Sequence, residues 1–151
     1  MVDQKKLPED AQQRLNEALE GLYFGFRAIT AQPDARLSEL GYSRVHHRIL
    51  YFVGRNSGCS INELLAIMRV SKQYLHGPLK KLIDDDYIAV KRDPGDRRVK
   101  RLRLTSRGRR LEDALTGEQR RQLKAVFEEA GPRAETGWRE VMALLARSRD
   151  E

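Results

Sequence analysis

"YIAVKRDPGDRRVKRLRLT", residues 87–105, decides how this chain of 151 residues is folded. Apolar and polar positions alternate on both sides of an Asp-Pro-Gly-Asp turn. Ile88 and Val90 share one face of the first arm. Leu102 and Leu104 share one face of the second, with Val99, Arg101 and Arg103 on the other. A period of two marks a half-buried strand and Pro-Gly supplies turn chemistry, so the segment predicts a two-stranded hairpin. The hairpin also carries the charge. Between Lys91 and Arg110, ten Lys and Arg residues stand against Asp93 and Asp96, which accounts for the whole formal excess of +7. Evenly spread charge would bear on solubility. Charge concentrated in one stretch predicts a polyanionic partner, nucleic acid before an anionic membrane surface.

Upstream the period changes to that of helices. Ser43 is a candidate N-cap for a helix with Val45, Ile49, Phe52 and Val53 inward, closed by "GRNSG" at 54–58. "SINE" at 60–63 has the form of a capping box, in which Ser60 accepts from the Glu63 amide and Glu63 reaches back. A short helix through Leu64, Leu65 and Met68 follows. After Arg69 and Val70, Ser71 caps another helix, with Leu75, Leu79, Leu82 and Ile83 at i, i+4, i+7 and i+8. Two short helices with about three residues between them, then a hairpin, make a winged helix-turn-helix.

The fold class expected is therefore mainly α, with a two-stranded wing and long helices at both ends. An apolar stripe through Ala11, Leu15, Ala18, Leu19, Leu22, Phe26 and Ile29 predicts a first helix over 9–32, with Pro33 just beyond it. Thr105 caps a helix through Leu111, Leu115, Leu123 and Phe127. "AGPRA" at 130–134 interrupts it, and a last helix carries Trp138, Val141, Met142, Leu144 and Leu145. We read residues 1–151 as a single domain, with a winged lobe at 43–104 between dimerisation helices at 9–32 and 105–149. The terminal stripes are too wide for a lobe of that size to cover. Burial against a second copy satisfies them and yields a twofold homodimer.

On the second helix of the helix-turn-helix, Lys72, Gln73, His76 and Lys80 project outward, with Tyr74 beside them. Lys donates to guanine or phosphate, Gln pairs with adenine, and Tyr meets a thymine methyl or a phosphate. Ser71 and the free amides of the first turn suit a phosphate oxygen. Gly77-Pro78 falls mid-helix and predicts a kink there, which either re-aims the first turns or is tolerated through packing. On the hairpin, Arg97, Arg98, Lys100, Arg101 and Arg103 exceed what a neutral partner needs. Asp96 is close enough to hold Arg98 extended, as an arginine entering the narrow minor groove of double-stranded DNA must be.

Other chemistries find little here. Cys59 stands alone, which excludes an internal disulfide and reads as a structural thiol. Three His and one Cys lack metal-ligand spacing, no cofactor motif occurs, and no nucleophile-base or paired-carboxylate pattern stands out. "DDD" at 84–86 reads as a helix end. An enzyme is not expected. No apolar run approaches a membrane span and the first residues form no export signal, so the expected location is the cytoplasm.

Helix-turn-helix followed by "DPGDRRVKRLRLTSRG" resembles the MarR family of transcription regulators. The family's Asp-x-Arg and Leu-Thr-x-x-Gly pattern is matched by Asp96, Arg98, Leu104, Thr105 and Gly108. The resemblance implies interleaved terminal helices, wings flanking a pseudo-palindromic site, and Ser71 to His76 as the start of the recognition helix. It further implies release of DNA when a small aromatic or anionic effector binds between the dimerisation helices and the lobe. Tyr23, Arg27, His46, His47 and Arg48 are the candidates for it, although Tyr23 with Phe24 also reads as core or dimer contact. Arg69 and Asp86 stand where many members have glycine. The rival reading is a non-catalytic winged-helix module that binds nucleic acid without sequence preference, or an acidic protein.

Overall fold

A computed structural model describes residues 6–148. Contacts within them group into two units, one ending at Ala31 and one starting at Gln32.

The first unit is the N-terminal part of α1 (Glu9–Glu39), which opens with Glu9 and Asp10, acidic side chains that complement the helix dipole. Leu15, Leu19, Leu22, Phe24 and Phe26 are exposed along it. The helix does not stop near residue 32 as its periodicity suggests. It continues through Pro33 to Glu39. An internal proline costs roughly 3 kcal/mol, but Pro33 is buried and Leu37 lies at 0% exposure in the core cluster. Burying one such leucine contributes about 1.5–3 kcal/mol, which with the burial of Pro33 itself works against the break.

The second unit holds the rest. The Tyr42 amide donates to the Leu37 carbonyl at 2.9 Å, turning the chain into α2 (Arg44–Arg55). Ser43 is the N-cap, and its own amide donates to His46 Nδ1 at 2.9 Å. Directly after α2's closing loop comes β1 (Cys59–Ser60), then α3 (Ile61–Met68) and α4 (Lys72–Asp84). Ser60 Oγ accepts from the Glu63 amide and Ser71 Oγ from the Tyr74 amide, each at 3.1 Å, so both expected caps are present. Arg69 closes α3 with a left-handed backbone (φ 56) and Asp86 follows α4 with φ 64. These are the conformations a glycine would take, here held by side chains that favour them less. α4 runs through Pro78 as one helix. Gly77 helps: without a Cβ it escapes part of the conflict that keeps a pre-proline residue from helical angles.

β2 (Ile88–Arg92) and β3 (Lys100–Leu104) form the expected hairpin, in antiparallel register from Ile88↔Leu104 to Arg92↔Lys100. The sheet has a third strand, however. β1 pairs with the other edge of β3 through Cys59↔Leu102 and Ser60↔Arg101, giving the order β1-β3-β2. Leu102 is consequently central and fully buried, while Val90 is 37% exposed. The core joins Leu37, Ile49, Leu50, Val53, Leu64, Leu75, Leu79, Leu82, Ile88, Leu102 and Leu115.

Thr105 caps α5 (Ser106–Ala130) by accepting from the Gly108 amide at 3.0 Å, and Gly131 (φ 95) breaks it before α6 (Pro132–Ser148). The edge-to-face pair Phe127 and Trp138 joins the two helices. α6 has no buried residue, and Val126, Val141, Leu144 and Leu145 are more than half exposed. The expected helix end at residue 149 lies outside the described residues. Among them, no helix is long and apolar enough to cross a membrane.

Candidate nucleic-acid interface

Two surfaces of the second unit carry the residues singled out from the sequence. The first is the start of α4. Leu75 and Leu79 are 1% and 4% exposed, so the helix is fixed by its inner face while Ser71, Lys72, Gln73, Tyr74, His76 and Lys80 all face solvent. Lys72, Gln73 and His76 extend freely from the first turns. Lys80 is engaged along the helix with Asp84 at 2.8 Å, an exposed i,i+4 pair. The Tyr74 hydroxyl accepts from Arg48 Nη1 at 3.4 Å, so Arg48 of α2 borders this surface.

The second surface is the hairpin tip. Asp96 grips Arg98 with both carboxylate oxygens: Nε to Oδ1 at 3.1 Å and Nη2 to Oδ2 at 3.2 Å, with the Arg98 amide also donating to Oδ1. The expected Asp-Arg pair is therefore bidentate. Arg98 lowers the pKa of the Asp96 carboxyl, keeping it ionised. The Arg98 side chain is nevertheless 92% exposed. A guanidinium held by one edge and open to solvent on the other is oriented before any partner arrives. Arg97 and Lys100 are exposed beside it, and the Arg97 carbonyl accepts from Arg92 Nη1 at 2.8 Å.

Arg101, counted among the basic residues of the hairpin, is engaged within the fold. Its Nε donates to Asp93 Oδ2 at 2.9 Å, and its Nη1 to Glu63 Oε1 at 3.1 Å and to the Gly58 carbonyl at 3.3 Å. Glu63 thus turns to the sheet, where the capping box would have sent it back to Ser60. Asp93 Oδ1 accepts in addition from the Gly95 and Asp96 amides. Arg101 foremost, then these amides, lower the pKa of the Asp93 carboxyl. Sequence reasoning missed Glu63, Asp93 and Arg101 as a group. The available signal was Asp93 two residues before a glycine, the spacing of an Asx turn.

The residues expected to hold an effector have separate partners. Tyr23 and Arg27 belong to the first unit, where Arg27 Nη1 donates to the Tyr23 hydroxyl at 3.3 Å. In the second unit His46 serves the α2 cap and Arg48 reaches Tyr74. His47 Nε2 lies 3.1 Å from Thr116 Oγ1 on α5, whose hydroxyl donates to Glu112 Oε1 at 3.2 Å. His47, Thr116 and Glu112 are all buried. Burial lowers the His47 pKa and raises that of Glu112, so both are pushed toward neutrality. His46, His47 and Arg48 thus diverge toward three partners.

The family's Leu-Thr-x-x-Gly segment has a structural basis in this chain. Thr105 Oγ1 donates to the Asp86 carbonyl at 2.6 Å while capping α5, and the Thr105 amide donates to the Tyr87 carbonyl at 3.1 Å. The wing is tied at its foot to the end of α4.

Comparison with known proteins gives the family of the chain. Residues 40–99 match the sequence profile of the MarR family. Over 133 residues the chain is 35% identical to the HTH-type transcriptional regulator PetP of Rhodobacter capsulatus, covering 88% of this chain and 80% of that protein. The chain belongs to the MarR family. Solved structures agree on the MarR-family fold. The crystal structure of a MarR family transcription regulator superposes with a TM-score of 0.75 at 23% identity, over 93% of both chains. Streptococcus pneumoniae FabT in complex with DNA gives 0.77 at 18% identity, over 92% of this chain and 97% of that one.

Proposed function

We propose that this protein is a non-catalytic transcription regulator that binds double-stranded DNA sequence-specifically, as a homodimer on a pseudo-palindromic site. The observation that carries the reading is Arg98, held bidentately by Asp96 and almost wholly exposed at the tip of a basic wing. The uncovered start of α4 on the same winged unit supplies the complementary reader. In this reading Lys72, Gln73, Tyr74 and His76 meet base edges and phosphates in the major groove, and Ser71 and Lys80 the backbone. Arg98, oriented by Asp96, enters the minor groove, with Arg97 and Lys100 on the backbone. The exposed apolar residues of α1 and α6 support a homodimer in which a second copy covers them, and two wings then address two half-sites. The effector is the family's implied small aromatic or anionic molecule. Tyr23 and Arg27, paired on the exposed face of α1, offer it a ring and a guanidinium.

The test is selection of bound sequences from a random duplex pool, followed by affinity measurement across a salt series. The selected duplex should be symmetric and bind about 10³-fold or more tighter than random DNA, with a steep fall in affinity as salt rises. Equal affinity for both duplexes refutes the assignment. The same measurement with R98A should show a strong loss without loss of folding, and unchanged affinity removes the wing from the interface.

A further inference from the structure

Three ion-pair contacts run in series from α3 to the wing tip. Glu63 of α3 holds Arg101 of β3, Arg101 holds Asp93 where the wing leaves β2, and Asp93 fixes the Gly95 and Asp96 amides of the turn. Asp96 then holds Arg98. Arg101 also donates to the Gly58 carbonyl just ahead of β1. The first links join α3, β3 and the start of the turn, the later ones lie within the turn itself, and together they connect the helix-turn-helix to the exposed guanidinium.

Half-exposed ion pairs of this kind contribute little to stability. Their placement is better accounted for by geometry. A hairpin beyond the end of its pairing is free to swing, and a wing that must reach one groove while α4 occupies another needs a fixed offset between the two. We propose that Glu63, Arg101 and Asp93 are positioning residues, a brace that sets the Arg98 tip at a fixed distance and angle from α4. The proposal rests on the DNA-binding reading. It also gives Arg101, one of the basic residues of the hairpin, a role as internal support.

Charge alone makes the opposite prediction, which makes the brace testable. Glu63 and Asp93 are acidic groups near a polyanion, and deleting either should tighten binding if electrostatics were the whole account. A brace requires that deletion weaken it. Glu63→Ala and Asp93→Ala are compared with the wild-type protein by fluorescence anisotropy on the selected duplex at one salt concentration, with melting temperatures checking the fold. Each variant should lose roughly tenfold in affinity, about 1.4 kcal/mol. In an Arg98→Ala background the same changes should cost less than twofold, because the group they position is gone. Should D93A disturb the turn enough to unfold the wing, E63A, which leaves the backbone cap to Ser60 intact, carries the test alone. Affinity equal to or above wild type overturns the brace, and so does a loss that persists undiminished without Arg98. A wild-type protein that does not distinguish the selected duplex defeats the DNA-binding reading instead, so the two failures are separable.

Discussion

The α-carbon of Gly108 lies so close to the Tyr87 carbonyl that a side-chain carbon there would sit 2.0 Å from its oxygen. The contact comes from backbone on both sides, so neither can yield by rotating a side chain. Gly108→Ala must therefore push α5 away from the turn that leads into β2. The expected cost is more than ~2 kcal/mol, measured as a lower urea midpoint. An alanine variant as stable as the parent would show that this packing is soft.

Leu102 offers the same question from the core. It is fully buried and paired on both sides, with Val90 and with Cys59. Leu102→Ala should cost about 2–5 kcal/mol, whereas Arg103→Ala, exposed on the neighbouring position, should cost under about 0.5 kcal/mol. Similar losses for both would contradict the face assignment of β3.

His47 gives a pH dependence whose sign follows from its burial. The unfolded chain takes up a proton near 6.5, while desolvation keeps the folded site neutral to lower pH. Below 6.5 the unfolded state binds more protons, so stability present at neutral pH is lost as pH falls through the folded value. His46 acts in the same direction, again chiefly through burial. Glu112, with its pKa raised, works in the opposite sense from its ordinary 4.5 upward. Melting temperature should therefore drop between pH 7 and 5.5, and His47→Gln should shrink that drop without abolishing it. An identical slope in both proteins would remove His47 from the account.

Gln73 separates reading from holding. It is exposed on the first turn of α4 beside Lys72. Gln73→Ala should relax base preference at one position of each half-site by about 1–3 kcal/mol while leaving the salt dependence unchanged. Lys72→Ala should instead lower affinity on all sequences and reduce the salt slope by about one. Selection profiles of the two variants on the same duplex library check this. A Gln73 variant with the parent's preference drops that residue from the reading set.

Elements with their own periodicity were legible in the sequence. The stripe of Leu75, Leu79 and Leu82, the caps at Ser60, Ser71 and Thr105, and the alternation around Leu102 each reflect a local rule, and each is present. What escaped depends on distant partners. β1 is two residues long, too short to show any period, and exists only because Leu102 is there to pair with Cys59. Pro33 reads as a stop from its own chemistry, but burial of Pro33 and Leu37 overrides it. Glu63 has two claimants for its carboxylate, and the stronger, a guanidinium, lies 38 residues away. The Asp96–Arg98 pair was readable because its partners are two residues apart. The Arg101 group was not, because three separate segments must first be folded together.

The central place of β3 has a bearing on how such a wing can change. With β1 on one edge and β2 on the other, shifting β3 by a single residue would turn Leu102 out of the core and Arg101 into it. Inserted or deleted residues are absorbed most readily in the turn at 93–99, since both edge strands also carry core residues, Cys59 and Ile88. The tip can thus be lengthened, shortened or recharged by altering that turn while the foundation stays fixed. Reach and foundation are separable parts of this sheet, and graded tip lengths could be built on the one unaltered base.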